Sequence, residues 1–536
     1  MRKFSSYGPI NTALHYYAPR QKLLERVCMQ LVGEQPEQGG HYMTVWAPRQ
    51  TGKTWIMQQT LFRLRHEKQY ERFDVVKINL EDLKLMYDIE ALVVSLADML
   101  ARELGKEPGM VTSIEQFKEL FSCDVLEKPL ILILDEFDSL PEEGISTLAS
   151  AFRNIYISRE EQSGKRTDEK RFLLHGVALI GVRSVLGIEN KRGSPFNVQR
   201  SVHIPNLTSS EVEGIFQWYE RESGQQIELA VIQQLYQETR GQPGLICWFG
   251  ELLTEGFEEY QPDKDRPLTM ADFEEVYAAA VKILPNSNIL NIISKAKQTP
   301  YKAMVFELLR TDTKVEFAYD DPALNYLYMN GVIDREKVGS TSYYARFACP
   351  FVQKRLFNAF ARELFGYMGK LYEPFEDFSD TFTEHGLNIR HLLKRYERHL
   401  KVNRKWLLQD APRRKDLRIY EAVYHFNLYM FLHEFLKLRD GRVYPEFPTG
   451  NGKIDLIIVC QDKRYGLEVK SYTDEQGYKA ALIQAARYGK ELRLSEISLV
   501  FFVEYIDEEH RKQYEVAYTE HASGVTVFPL FVGIGQ

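Results

Sequence analysis

The sequence predicts a multidomain α/β protein, and three observations indicate this fold class. The chain has 536 residues, which is enough for roughly three to four domains. From about residue 20 to 206, short apolar runs alternate with helical patterns, as expected for a parallel sheet covered by helices on both faces. Past about residue 371 the order changes to long helices, strands, a helix and further strands, which predicts a second α/β domain.

The composition excludes several classes of protein. Hydrophobic residues make up 44% of the chain and charged residues 27%, which is ordinary for a globular protein. No apolar run reaches the roughly 18 residues of a membrane-spanning helix, and the N-terminus lacks the apolar core of a signal peptide. The 5 cysteines are scattered without metal-binding spacing, so we expect a cytoplasmic location, no disulfide framework and no zinc site.

The N-terminal sheet is predicted from apolar segments of strand length, which are 41–47, 73–80, 129–136, 174–182 and 201–207. A helical region follows. Two extended runs then flank the turn Gly339-Ser340-Thr341, like the wing of a winged-helix domain. We therefore predict a parallel-sheet core, a helical lid, a winged-helix-like domain and a C-terminal α/β domain, with boundaries at 1–207, 208–283, 284–370 and 371–536.

A phosphate-binding loop is predicted directly after the first strand. The segment "APRQTGKT" precedes a helical pattern and fits GxxxxGK[ST], except that alanine replaces the first glycine. Backbone N–H groups curled around an anion at a helix N-terminus bind phosphates; Lys53 would reach the β- and γ-phosphates, and the Thr54 hydroxyl would bind Mg²⁺. The predicted nucleotide-binding residues are Ala47, Pro48, Arg49, Gln50, Thr51, Gly52, Lys53 and Thr54.

Two acids end the third predicted strand. The segment "LILILDEFDSL" is an apolar strand that finishes in Asp135 and Glu136. Acids at the C-terminal end of a parallel strand face the crevice where ligands bind. Asp135 is therefore a candidate Mg²⁺ ligand, and Glu136 is a candidate catalytic residue that polarises the attacking water. The alternative is that the first motif is only a helix N-cap and the second only a polar loop. The nucleotide site is favoured because both motifs occur in the expected order, each after its own strand.

These motifs resemble those of the AAA+ superfamily, and more narrowly those of bacterial AAA-like ATPases close to the STAND and origin-recognition groups. The resemblance implies ATP and Mg²⁺ as cofactors, and a homo-oligomer, because such sites commonly form between subunits. It implies that Arg183 in "LIGVRSV" contacts the γ-phosphate. It also implies that "GQP", which contains Gln242 and Pro243, is a lid motif whose backbone approaches the nucleotide. Arg153 and Arg200 are both open as the arginine finger, and a surface arginine is the alternative for each.

A second constellation lies in "GKIDLIIVCQDKRYGLEVKSY", residues 452–472, where two apolar runs flank a polar turn. A hairpin with a two-residue loop places Asp455 opposite Glu468, and a four-residue loop places it opposite Lys470. Because side chains alternate faces with a period of two, either loop puts all three residues on one face. Two directly opposed carboxylates, with Cβ atoms about 4.5–5.5 Å apart, repel unless a cation lies between them. Oxygen ligands suit Mg²⁺ or Mn²⁺, and the lysine can stabilise charge that develops on a phosphate.

This pattern resembles the core of the PD-(D/E)xK nuclease superfamily, in which an aspartate on one strand precedes an ExK motif on the next. The following segment "QAARY" is similar to the QxxxY motif of RecB-like members, whose two polar side chains are four residues apart and share a helix face. The resemblance implies a metal-dependent nuclease in which the motif residues line one site. The residues that it implies as catalytic are Asp455, Glu468, Lys470, Gln484 and Tyr488, and the two acids are also its metal ligands.

Three points stay open in this C-terminal domain. Glu421, on an early helix, is a further candidate metal ligand, and a helix-surface glutamate is its alternative. Ile454 stands where the family pattern has a proline. The alternative for Asp455, Glu468 and Lys470 is a cross-strand ion pair on an exposed face, although the flanking residues are apolar for a solvated edge.

A basic patch precedes the C-terminal strands. The formal net charge of the chain is −7, which excludes a uniformly basic nucleic-acid-binding surface but permits a local one. Residues 390–418 contain 11 Lys and Arg against 3 acids, with Tyr396 and Trp406 interleaved. Such an excess suits contact with a phosphate backbone, and a solvated helix face is the alternative.

The sequence therefore predicts an ATP-dependent or ATP-regulated, metal-dependent nuclease that cleaves nucleic acid. DNA is the expected partner, and defence or mobile-element biology is an open role. The alternative is a STAND-like signalling or scaffold ATPase whose C-terminal domain binds nucleic acid without cutting it. Complete acid and lysine positions favour the nuclease.

Overall fold

A computed structural model describes residues 1–8, 10–107, 111–181, 200–309, 314–413, 419–445, 455–461, 463–472 and 474–535. The chain divides into two compact units. The first unit comprises Met1–Tyr236, Arg240–Val276 and Met329–Gly331, and the second comprises Gln237–Thr239, Tyr277–Tyr328 and Val332–Gln536. The finer boundaries predicted at residues 207, 283 and 370 stay predictions.

The N-terminal elements alternate between helices and strands, as the apolar pattern predicts. In chain order they are α1 Gln21–Val32, β1 Tyr42–Trp46, α2 Lys53–His66, β2 Asp74–Asn79, α3 Ile89–Glu103, α4 Ile114–Glu119, β3 Leu130–Asp135, α5 Glu142–Glu160, β4 Leu174–Gly181 and β5 Arg200–His203. Further helices follow, namely α6 Ser209–Ser223, α7 Leu229–Thr239, α8 Pro243–Glu255 and α9 Met270–Lys282. The strands form one sheet in the order β2-β3-β4-β1-β5, and every pairing in it is parallel. The predicted parallel sheet is confirmed.

Helices cover both faces of this sheet, because its central strands are apolar on both faces. All six residues of β3 are buried. Leu132 and Leu134 pack in a core cluster with α3 and α5, whereas Ile131 and Ile133 pack in a second cluster with α1 and α2. This division follows from the alternation of side chains along a strand. The polar groups at the carboxyl ends of the strands are thereby fixed on a rigid layer.

The C-terminal elements comprise helices, two two-stranded sheets and a second large sheet of a different type. In chain order they are α10 Ser287–Ala296, α11 Tyr301–Leu308, α12 Pro322–Met329, β6 Ile333–Val338, β7 Ser342–Phe347, α13 Pro350–Phe365, β8 Phe382–Thr383, β9 Gly386–Leu387, α14 Ile389–Leu407, α15 Glu421–Leu436, β10 Arg442–Pro445, β11 Leu456–Cys460, β12 Lys463–Ser471, α16 Glu475–Glu491, β13 Glu496–Val503, α17 Glu508–Tyr514, β14 Tyr518–Thr519 and β15 Thr526–Gly533. The sheet order is β10-β11-β12-β13-β15-β14. Strands β10, β11 and β12 are an antiparallel meander, and β12, β13 and β15 are parallel.

The two faces of the second sheet carry different helices. Helix α16 packs on one face, where Ala485 and Ala486 share a core cluster with Leu499 and Phe501 of β13. On the opposite face, Phe502 contacts the aromatic rings of α14 and α15, with ring centroids 6.3 Å from Tyr396 and 5.2 Å from Tyr424. Glu468 and Lys470 of β12 pair in register with Leu499 and Phe501, so they lie on the face that α16 covers.

Strands β6 and β7 form an antiparallel hairpin whose connection is Gly339-Ser340-Thr341, where the sequence predicts two extended runs. Gly339 has a φ of 69°, which glycine adopts without strain. The winged-helix assignment of this region stays a prediction. In the ranges given above, no helix combines the length and apolar character needed to cross a membrane.

Candidate nucleotide and metal sites

The predicted phosphate-binding loop joins β1 to α2. Helix α2 begins at Lys53, and the preceding Gly52 has φ 87° and ψ 18°. Gln50 also has a positive φ, of 56°. These conformations turn the chain sharply before the helix, whose first N–H groups and dipole favour an anion. Thr54 lies in the first turn of α2 and is half-buried. The local geometry is therefore that of an anion site at a helix N-terminus.

The Lys53 side chain folds back onto this loop. Its Nζ donates hydrogen bonds to the carbonyl oxygens of Ala47, at 2.8 Å, and Pro48, at 2.9 Å. Burial lowers the pKa of Lys53 to about 8, while the nearby Glu136, Asp138 and Asp135 act in the opposite direction. The lysine is thus cationic at neutral pH, and its ammonium group is held by main-chain oxygens that a phosphate would replace.

Asp135 lies at the end of β3, and it is 2% exposed. A residue that the sequence did not single out contacts it: Lys77 of β2 places its Nζ 2.8 Å from Asp135 Oδ2. The register pairs Asn79 with Asp135, and Lys77 lies two residues earlier on the same face of β2. In the sequence, the signal for this contact is a single lysine inside the predicted apolar strand 73–80. Lys77 therefore neutralises the acid that is predicted to bind Mg²⁺.

Glu136 follows in a left-handed conformation, with φ 56° and ψ 36°. Burial raises its pKa, and the carboxylates of Asp138 and Asp135 raise it further. Asp138 also approaches the end of β4, since a Cβ added at Gly181 would lie 2.5 Å from Asp138 Oδ1. The strand ends thus gather three acids next to Lys53, and the sequence had marked only two of them. A carboxylate with a raised pKa beside a phosphate-binding loop is suited to accept a proton from water.

The predicted lid motif contacts the same loop. Gln242 is the N-cap of α8, and its Nε2 donates to the carbonyl oxygens of Arg49 and Gln50, at 3.2 and 3.3 Å. The Gly244 N–H also donates to the Gln50 carbonyl oxygen, at 3.0 Å. Pro243 is the first residue of α8, where a missing N–H costs nothing. The start of α8 is therefore held against the loop by one main-chain hydrogen bond and two from the Gln242 side chain.

The remaining predicted residues of this site are not brought together. Arg200 on β5 bonds to Gln30 at 3.1 Å and lies 3.6 Å from a carboxylate oxygen of Glu34, and Arg153 lies on α5. Neither geometry selects an arginine finger. Arg183 lies outside the described residues.

The second candidate site is built on the hairpin of β11 and β12. Cys460 pairs with Lys463 and Leu456 pairs with Leu467, a register that leaves two residues in the connection. This corresponds to the two-residue alternative, in which Asp455 comes opposite Glu468. The Val469 N–H donates to Asp455 Oδ2 at 2.7 Å, which fixes the aspartate beside β12.

The three hairpin residues are buried. Asp455, Glu468 and Lys470 are 4%, 0% and 6% exposed, and Lys470 Nζ lies 3.1 Å from Glu468 Oε1. The alternative of an ion pair on an exposed face is therefore wrong. The ion pair between Lys470 and Glu468 is buried. Burial of two carboxylates with one nearby ammonium is unfavourable without further positive charge or hydrogen bonds. The three side chains carry a formal charge of −1, which a bound cation would offset.

Tyr488 extends this site from α16. Gln484 Nε2 donates a hydrogen bond to its hydroxyl. Burial raises the pKa of Tyr488, the charge of Glu468 raises it further and that of Lys470 lowers it. The predicted QxxxY pair is thus on the helix that covers the Glu468 face. The last candidate, Glu421, is the first residue of α15, and its side chain lies outside what the structure describes.

The donor set of the hairpin is compatible with Mg²⁺. No group of three or more His, Cys, Asp and Glu side chains in the described parts of the chain could hold a metal ion. Two carboxylates are sufficient for Mg²⁺, which usually keeps several water ligands and binds one or two protein carboxylates. Asp455 and Glu468 therefore fit this ion, with oxygen donors only.

Comparison with known proteins gives a match for the part of the chain that contains the phosphate-binding loop. Residues 5–254 match the family model described as an AAA-like domain. The N-terminal part of the chain is similar to this domain. This match supports an ATPase of AAA+ type, and the fold implies nucleotide binding and typically Mg²⁺. The match ends before the second sheet begins, so it does not test the hairpin site.

Some solved structures are similar to this chain at low identity. The Walker-type ATPase of Pyrococcus abyssi is 15% identical, covers 66% of this chain and 99% of its own, and has a TM-score of 0.44. The ORC2 protein of Aeropyrum pernix, in complexes with ADPNP and ADP, is 16% identical, covers 65% and 96%, and scores 0.38. The RuvB branch migration motor of Thermotoga maritima is 14% identical, covers 60% and 90%, and scores 0.33. A search of curated proteins found no match.

Proposed function

We propose that this protein is an ATP-dependent or ATP-regulated nuclease that cleaves nucleic-acid phosphodiesters, with DNA as the expected substrate. One observation carries the proposal: two buried carboxylates and a lysine lie together at the hairpin of β11 and β12. An AAA-like domain in the same chain supports the ATP-dependent half. The PD-(D/E)xK pattern of the sequence supports the choice of phosphodiester chemistry.

In the proposed nuclease site, Asp455 and Glu468 would hold Mg²⁺ or Mn²⁺. When bound, such an ion lowers the pKa of its water and polarises a phosphoryl oxygen. The Val469 N–H keeps Asp455 oriented, and the ammonium group of Lys470 stabilises negative charge on the phosphate. Tyr488, held by Gln484, would close the α16 side of the site and limit access of bulk water.

In the proposed ATPase site, Lys53 and Thr54 would hold the phosphates and Mg²⁺ together with Asp135. Glu136 orients and deprotonates the attacking water, a role that suits its raised pKa. Arg183 and Pro243 complete the predicted contacts to the nucleotide. Nucleotide binding sets the conformation or the oligomer in which cleavage takes place, and a homo-oligomer is proposed because such sites commonly use a neighbouring subunit.

Substitution of Asp455 by asparagine tests the nuclease. The full-length protein is incubated with single- and double-stranded DNA and RNA, in Mg²⁺ or Mn²⁺, with and without ATP. We expect cleavage by the wild type and a loss of at least about 100-fold in Asp455→Asn, because a neutral amide is a poor ligand for the ion. Asp440→Asn is the matched control, since Asp440 is exposed and has a positive φ of 52°, which asparagine tolerates.

A result without cleavage of any substrate, or with equal cleavage by Asp455→Asn and the wild type, would remove the nuclease from the proposal. EDTA provides a further check, since chelation must abolish the activity of the wild type. ATP hydrolysis, measured in the same samples, should be unchanged in Asp455→Asn.

A second candidate is a STAND-like signalling or scaffold ATPase that binds nucleic acid without cutting it. The observation that favours it is the contact of Lys470 with Glu468, which partly neutralises the acid without a metal. This candidate predicts ATP hydrolysis and nucleic-acid binding, with no metal-dependent cleavage in the same panel. It also predicts that Asp455→Asn leaves both of these activities unchanged.

A further inference from the structure

A basic cavity lies at the C-terminal end of α14. Its volume is about 370 Å³, within the range of small-ligand pockets. Its lining includes Lys401, Arg404, Lys405 and Arg413, and the other described lining residues are uncharged. The cations at 401, 404 and 405 come from successive turns of one helix face, and Arg413 comes from the chain that follows α14.

The positive charge of this cavity is only partly neutralised. Lys401 lies 2.8 Å from Glu397 Oε1, but Glu397 also accepts two hydrogen bonds from Arg511, each 2.7 Å long. Over the ranges that the structure describes, neither Arg404 nor Lys405 has a carboxylate partner within ion-pair distance. Arg404 and Lys405 therefore give this open cavity a net positive charge.

Compensation of the helix dipole does not account for this cluster. The C-terminus of a helix is equivalent to about half a negative charge, which a single cation offsets. Four cationic side chains around one cavity exceed that need. Arginine guanidinium groups bind phosphate oxygens in a bidentate geometry and are less strongly hydrated than an ammonium group.

We propose that this cavity binds phosphate groups of a nucleic-acid strand. The inference rests on the proposed function for the choice of a nucleic acid over a free nucleotide, because the cavity belongs to the unit that contains Asp455 and Glu468. It assigns the contact to one cavity within the basic segment 390–418.

The experiment measures binding of labelled single-stranded and duplex DNA to the full-length protein by fluorescence anisotropy, in EDTA to prevent cleavage. The variant Arg404→Glu/Lys405→Glu reverses two charges in the cavity. The control Lys394→Glu/Arg398→Glu reverses two exposed charges on the same helix outside the cavity lining. Arg398 is 69% exposed in its ion pair with Glu376, so its loss affects stability little.

We expect the cavity variant to weaken DNA binding at least about 10-fold at 0.1 M salt, and the control less than 3-fold. In Arg404→Gln/Lys405→Gln, the slope of log affinity against log salt should fall by about one to two, because one or two phosphate contacts are lost. Unfolding curves of all variants report whether the fold is retained, and the milder glutamine pair carries the test if the reversal unfolds the protein.

Equal weakening in the cavity variant and the control would overturn the proposal. A second result would also overturn the proposal: the cavity variant binds DNA as the wild type does but no longer binds AMP. AMP binding is measured in a Lys53→Ala background, and this result would mean that the cavity takes a free nucleotide. The cleavage panel is read separately: DNA binding at the cavity without cleavage removes only the proposed nuclease, and cleavage without cavity binding removes only this inference.

Discussion

At the residue scale, the contact between Lys77 and Asp135 is the feature that most constrains the ATPase site. Asp135 is buried at the end of β3, and its charge is balanced by an ammonium group 2.8 Å away. A Mg²⁺ ion that approaches Asp135 competes with Lys77 for the same carboxylate. Lys77 therefore stabilises the protein without nucleotide and opposes direct capture of the metal.

Substitution of Lys77 by methionine tests this competition. We expect the free energy of unfolding to fall by about 3–5 kcal/mol in EDTA, because a buried carboxylate loses its partner. Mg²⁺ with ADP should recover more stability in Lys77→Met than in the wild type, since the ion replaces the missing charge. Thermal unfolding with EDTA or with Mg²⁺ and ADP measures both effects.

The matched control is Lys84→Met, because Lys84 is exposed and lies 3.8 Å from Glu81 in a surface pair of little energetic weight. Equal stabilisation of both variants and the wild type by Mg²⁺ and ADP would contradict the competition. A loss of stability in Lys77→Met that Mg²⁺ and ADP do not reduce would indicate a packing effect only.

At the element scale, the start of α8 and the phosphate-binding loop are held as one piece. A Cβ added at Gly244 would lie 2.5 Å from Gln50 Oε1 and 2.6 Å from Gln50 Cβ, so an alanine must displace the helix or the loop. We expect Gly244→Ala to lower ADP affinity about 10-fold, measured by isothermal titration calorimetry. Gly214→Ala is the control, since no heavy atom lies within 4 Å of a Cβ at Gly214 in α6.

Alanine has the higher helix propensity, so Gly214→Ala should raise stability by up to about 1 kcal/mol without changing ADP affinity. The proposed coupling of α8 to the loop would be contradicted by unchanged ADP affinity in Gly244→Ala. An equal loss of affinity in both variants would assign the effect to the substitution of glycine in general.

The sequence predicts elements better than it predicts contacts between them. Apolar alternation was sufficient for the parallel sheet, and strand parity was sufficient to place Asp455, Glu468 and Lys470 on one face for either even loop. The choice between the two loops was not available, because both satisfy the same parity. Lys77 was missed because its contact depends on β2 lying next to β3, which is a property of strand order rather than of local pattern.

At the scale of the whole molecule, charge is distributed unevenly. The chain has a net charge of −7, yet residues 390–418 alone carry 11 basic and 3 acidic residues. Under the proposed function, a nucleic acid would be attracted to this segment and repelled by the net negative charge of the rest of the chain. Such asymmetry limits non-specific binding and makes the affinity strongly dependent on salt.

The two sites also belong to different compact units, so coupling between them can be measured by inactivating each in turn. We expect Asp455→Asn to abolish cleavage and leave basal ATP hydrolysis unchanged. Lys53→Ala should abolish ATP binding and lower cleavage at least about 10-fold. It should retain Mn²⁺ binding at the hairpin, which calorimetry measures with the Lys53→Ala/Asp455→Asn double variant as the reference. Lys84→Ala, an exposed lysine of the same unit, controls for loss of a charge.

Coupling in binding must be reciprocal, because each ligand changes the affinity of the other by the same factor. If ATP strengthens DNA binding, DNA must strengthen ATP binding equally. The comparison is made in Asp455→Asn, because this variant is expected not to cleave the DNA during the measurement. Equal cleavage by Lys53→Ala and the wild type would mean that the hairpin site cuts without the nucleotide, and the ATPase would then serve a separate step. A change in ATP affinity on DNA binding, absent in Arg404→Glu/Lys405→Glu, would connect the basic cavity to the AAA-like domain.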